Sequence, residues 1–157
     1  MTNKLSIDAP DGVPWIDYHR EFDAPVHAVY NAHRDPALVS QWLGPRGYAM
    51  DIDRWDFSDG GGYRYLHRNP EGTEFGFHGC FHTVRENELV IQTFEYEGAP
   101  DEAAIEFLSF TELEDGRSML TGRSIGRTVE GRDAMIASGM EHGMVDSYDQ
   151  LEELAAG

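Results

Sequence analysis

The sequence predicts an α+β protein, an antiparallel sheet of about six or seven strands wrapped around one long C-terminal helix, with two short helices after the first strand. Three observations predict it. The stretch from about Gly131 to Ala155 keeps Ile136, Met140, Met144, Leu151 and Leu154 at a three-and-four spacing, with the small Ser147 among them. Much of the middle of the chain alternates large apolar and polar residues between tight glycine-containing turns. The order of these signals is strand, two short helices, a run of strands, then the long helix.

The long helix is roughly 35 Å of rod at ~1.5 Å per residue, and its apolar stripe needs a large partner. The remaining chain offers mostly strands, so the helix is expected to lie across the sheet. Gly139 and Gly143 weaken a helix by about 1 kcal/mol each. Their expected use is a close approach of backbone or ligand.

In chain order, residues 1–13 are polar, contain Pro10, Asp11 and Gly12, and are expected to be a flexible tail. Residues 14–157 are expected to form a single domain. Trp15 to Phe22 alternates as a first strand. Asp23-Ala24-Pro25 opens a helix, with Asp23 as the expected cap and Pro25 in the first turn. Asp35-Pro36 breaks it, and a second short helix runs to about Trp42 before Gly44-Pro45. Strands follow at Tyr48 to Phe57, Tyr63 to His67, Glu74 to Val84, Leu89 to Tyr96, Ala104 to Leu113 and Arg117 to Ile125. In the third of these Phe75, Phe77, Gly79 and Phe81 share one face, and His78, Cys80 and His82 the other.

Composition excludes several function classes. Asp plus Glu is 29 against 12 for Lys plus Arg, a formal net charge of −17. Nucleic acid and anionic membrane surfaces are therefore not expected partners. Cys80 is the sole cysteine, which rules out an internal disulfide and a thiolate metal cluster. No apolar run approaches a membrane span and no signal pattern opens the chain, so a cytoplasmic protein without membrane insertion is expected.

The ordered set Asp23-Ala24-Pro25, Asp35-Pro36, Trp42-Leu43-Gly44-Pro45, Gly61-Gly62-Tyr63-Arg64-Tyr65, Phe77-His78-Gly79-Cys80-Phe81, Asp115 to Thr121 and Ser138 to Gly143 resembles the SRPBCC superfamily. These are the START-like or Bet v 1-like helix-grip folds. The closer likeness is to the branch named for the activator of the Hsp90 ATPase. Phe57-Ser58-Asp59 departs from it, where relatives often carry an arginine before the glycines. The resemblance implies a curved sheet gripping the C-terminal helix with an apolar cavity between them. It implies binding of a hydrophobic or aromatic small molecule, lipid or polyketide-like. A cyclase- or hydrolase-type enzyme is the alternative, and a co-chaperone-like interaction module the third reading. Related folds often dimerise, which leaves a homodimer open.

The candidate ligand-binding residues are Trp42, Trp55, Tyr63, Tyr65, Phe75, Phe77, Gly79, Phe81, Phe94, Leu108, Phe110, Met140 and Met144. For each aromatic taken singly, plain core is the favoured reading over cavity wall. Glu106 is the candidate catalytic group. Facing inward with Leu108 and Phe110 it would be a desolvated carboxylate suited to acid–base work; facing outward it would be a solvated glutamate. Apolar residues at both parities around it leave the facing open, and Arg123 is its suggested cross-strand partner. His78 and His82 stand ~13 Å apart along a strand, too far to share a metal. No His-Glu-x-x-His or Gly-x-Ser-x-Gly motif occurs, and Gly60-Gly61-Gly62 reads as a turn, so neither metal nor cofactor is expected.

Overall fold

A computed structural model describes residues 3–157. Eight strands form one antiparallel sheet: β1 (Ser6–Asp8), β2 (Trp15–Phe22), β3 (Ala49–Trp55), β4 (Gly62–Arg68), β5 (Glu74–Arg85), β6 (Leu89–Tyr96), β7 (Ala104–Glu112) and β8 (Ser118–Ile125). Their order across the sheet is β1-β2-β8-β7-β6-β5-β4-β3. The meander from β3 to β8 follows from its short turns, and β2 closes on β8 because the first strand returns beside the last. Register shifts at Ile52/Arg54 and Phe81/Thr83 mark bulges that bend the sheet. Part of the expected tail is ordered: Ser6–Asp8 pairs with Asp17–His19 of β2.

Helix α1 (Val26–Arg34) and helix α2 (Pro36–Trp42) meet at Asp35, whose carboxylate accepts the Ala37 amide at 3.0 Å. That bond satisfies an orphan donor at the start of α2, and Pro36 needs none. Asp23 does not cap α1. Pro25 holds the cap position, while Asp23 accepts from Arg117 Nε at 2.9 Å.

The long C-terminal helix is two helices, α3 (Val129–Ala137) and α4 (Met140–Ala156). Gly139 has φ +88°, a left-handed conformation that stops α3 and turns the chain into α4. The expected stripe therefore splits. Leu151 is fully buried, Met140, Met144 and Leu154 are half-buried, and Ile136 on the far side of the break is 40% exposed. Met140→Ala is expected to cost less than ~1 kcal/mol in urea unfolding, far below the ~2–5 kcal/mol of a core methionine.

Helix α4 is fastened from two sides along its second half. Ser147 Oγ accepts the Gly44 amide at 2.8 Å, Gln150 Nε2 donates to Gly44 O at 2.8 Å, and Asp146 accepts the Arg46 amide at 3.0 Å. On the other side buried Arg20 of β2 donates to Asp149 at 2.9 Å and to Glu152 at 3.1 Å. The core fills the space between: Phe22, Val29, Tyr30, Trp42, Phe81, Phe110, Leu120, Tyr148 and Leu151 are all buried.

His33 lies inside this core, with its ring against Trp42 and Phe110 and Nδ1–H donating to Val29 O at 2.8 Å. Burial pushes its pKa down to about 4. The unfolded chain binds the proton more tightly, near pH 6.5, so stability is expected to fall as pH drops from about 6.5 to 4. The loss attributable to this group is about 3 kcal/mol. Urea unfolding across that range checks it, with His33→Phe expected to flatten the acid limb.

Candidate functional site

The concave face of the sheet settles which way β7 points. Ala104, Leu108 and Phe110 are buried on it, whereas Ile105 and Phe107 are 47% and 36% exposed on the convex side. Glu106 shares the concave parity. Across the sheet it stands in a row with Ile16 of β2, Ser124 of β8 and Gln92 of β6. Ile16 and Ser124 are buried, while Glu106 and Gln92 are half-buried.

Gln92 Nε2 donates to Glu106 Oε1 at 2.9 Å, and the Ser124 hydroxyl also bonds the carboxyl. Burial nevertheless wins over these two neutral donors and raises the carboxyl above its ordinary pKa. The titratable groups that feel its charge are Tyr18 of β2, Tyr63 and Tyr65 of β4 and Tyr148 of α4. Burial, with Glu106 beside them, holds all four phenols protonated. Tyr18 and Tyr148 interact through their hydroxyls, with ring centroids 6.1 Å apart. Tyr63 Oη donates to Thr93 O at 2.7 Å.

This face is not sealed. Among the described residues Arg20 Nε is the one fully covered side-chain polar atom without a partner. Tyr65 is buried on the same face, with its ring centroid 5.2 Å from that of Phe77. Phe77 and Phe94, stacked with centroids 5.6 Å apart, are half-buried on the same face, as is Met144 on α4. Phe77, Phe94 and Met144 thus mark the less tightly closed part of this face.

The sequence profile of the family described as activator of Hsp90 ATPase homolog 1-like protein matches residues 23–156. The chain belongs to this family. A crystal structure from Rhodobacter sphaeroides is similar to this AHSA1-like chain at 26% identity and a TM-score of 0.88, covering 98% of each chain. A solution structure from Arthrobacter aurescens shares its fold at 24% identity and a TM-score of 0.88, covering 96% of this chain and 91% of that one. An AHSA1 protein from Silicibacter pomeroyi does so at 23% identity and a TM-score of 0.71, covering 90% and 97%. No curated protein matches the chain in sequence.

Within this AHSA1-like fold twelve of the thirteen expected ligand residues separate into two groups, with Gly79 apart. Trp42, Tyr63, Phe81, Leu108 and Phe110 are buried, and half-buried Trp55 packs with them. Trp42 Nε1 donates to Ala32 O at 2.8 Å and Trp55 Nε1 to His33 O at 3.2 Å, so both indoles are anchored in the core around α1. Tyr65, Phe75, Phe77, Phe94, Met140 and Met144 belong to the more open end, and of these only Tyr65 is buried. Gly79 is buried on the concave face but opens onto no space: a Cβ there would lie 2.7 Å from the Tyr63 ring and 2.1 Å from Thr93 O. It makes room for a side chain, not for a ligand.

One further expectation is corrected. Arg123 points to the convex side and pairs with Asp17 at 2.7 Å, not with Glu106. His78 is tied to Glu97 at 2.9 Å, and His142 is exposed near Asp146. Among the described residues no three His, Cys, Asp or Glu side chains gather as a metal site, and no helix is long and apolar enough to cross a membrane. Sequence reasoning missed Gln92, Ser124, Tyr18 and Tyr148 as neighbours of Glu106. Strand parity alone carried the signal for the first three; Tyr148 needed the position of α4.

Proposed function

We propose that this protein binds a hydrophobic or aromatic small molecule between the concave face of the sheet and α4, with Glu106 as the polar anchor. One observation carries the reading: a carboxyl on the concave face, held by Gln92, keeps accessible surface where an ordinary core would be closed. Phe77, Phe94 and Met144 supply the apolar wall. Tyr65 and Glu106 supply hydrogen-bonding groups for a polar end.

The test is uptake of Nile red, a neutral apolar dye, followed by fluorescence. Met144→Trp is expected to fill the space and weaken uptake by about tenfold or more. Phe107→Ser on the convex face is expected to leave it unchanged. Loss of uptake in the second variant and not the first would place the dye on the outside and sink the reading.

Acid–base catalysis at the same site is the second reading, favoured by the raised Glu106 carboxyl, which holds its proton more tightly than a solvated glutamate. Recovery of a ligand chemically altered by the wild-type protein and unaltered by Glu106→Gln would select it.

A further inference from the structure

The charges around Glu106 are lopsided. It accepts from Gln92 and Ser124, both neutral, and its titratable neighbours are four protonated tyrosines. Among the described residues it makes no ion pair with a lysine, arginine or histidine, and Arg123 is taken by Asp17. Arg20 shares the concave face, two residues from Tyr18, but its guanidinium is engaged by Asp149 and Glu152. An ionised Glu106 therefore has no counter-charge from the protein among the described residues.

We propose that the site takes an organic cation: a ligand with an apolar or aromatic body whose positively charged end sits against the Glu106 carboxylate. This rests on reading the concave face as a ligand site. An anionic ligand would meet an unopposed carboxylate and, at longer range, a chain of net charge −17. A neutral ligand would cover the carboxylate and strip its water without replacing it, which is costly for an ionised group. A cation supplies the missing partner, and the surrounding aromatic residues favour it further because their ring faces are electron-rich. A quaternary ammonium or protonated amine on an aromatic body satisfies every wall: charge to Glu106, body to Phe77, Phe94 and Met144.

The test uses three probes on one naphthylmethyl body: the trimethylammonium cation, the alcohol and the carboxylate. At pH 7 the cation is expected to bind about tenfold or more tighter than the alcohol, and the carboxylate more weakly than either. Glu106→Gln is expected to bring cation and alcohol to equal affinity with alcohol binding retained. An alcohol that binds wild-type protein as tightly as the cation, or a cation preference that survives Glu106→Gln, overturns the proposal. If none of the three binds, the ligand-site reading itself fails, and the proposal with it.

A second readout needs no variant. The quaternary cation carries no titratable proton, so any pH dependence belongs to the protein. The four tyrosines facing Glu106 stay protonated throughout. Cation affinity is expected to rise with pH as Glu106 ionises, and calorimetry in two buffers of different ionisation enthalpy is expected to show proton release on binding at the acid end of that rise. A flat affinity without proton release contradicts the proposal.

Discussion

Phe81→Ala is expected to destabilise the fold by about 3–5 kcal/mol, a large part of what a domain of this size has in reserve. Phe81 is 1% exposed and sits where three elements meet. Its ring lies 5.5 Å from Trp55, 4.9 Å from Phe57 and 5.1 Å from Tyr63. Its amide also donates to Gly61 O, and its carbonyl accepts from Gly60 N, which pins the turn before β4. Truncation removes the transfer energy of the ring and leaves a cavity among anchored aromatics that cannot collapse. Equilibrium urea unfolding measures the loss; a cost under ~1 kcal/mol would mean this end of the sheet is loosely packed.

Gly79→Val is expected to cost ~3 kcal/mol or more and to lower the yield of folded protein. The obstacle is backbone as much as side chain. A Cβ would lie 2.1 Å from Thr93 O, so β5 and β6 would have to part, and 2.7 Å from Tyr63, which would lose its bond to the same carbonyl. Gly79→Ala already adds that Cβ and is expected to show most of the effect. Thermal unfolding of both variants checks this, and an alanine variant of wild-type stability would contradict the packing described for Tyr63.

Much of the architecture was legible in local signals. The period of two in β5, the Asp35-Pro36 break and the turns between strands each depend on a few neighbouring residues. The break at Gly139 was visible only as a weak helix position, because a tolerated mid-helix glycine and a left-handed terminator look alike in sequence. Ser6–Asp8 could not be told from a tail, since a three-residue edge strand carries too little pattern. The candidate site was half legible. Glu106 stood out, but Ile105 and Phe107 put apolar residues on the convex side as well and masked its parity. Nothing in the sequence singles out Arg20 and His33, because their burial is set by α4 and by the aromatic core, which only the fold brings to them. The assignment of Trp42 and Phe81 to core and Phe94 to open space likewise depends on where α1, α2 and α4 rest.

Native mass spectrometry of the protein purified from its own host, followed by extraction of whatever is bound, tests the proposed site most directly. The account predicts a stoichiometric apolar or aromatic molecule in the wild-type protein, reduced in Met144→Trp. An empty wild-type protein that also takes up no apolar probe would contradict it.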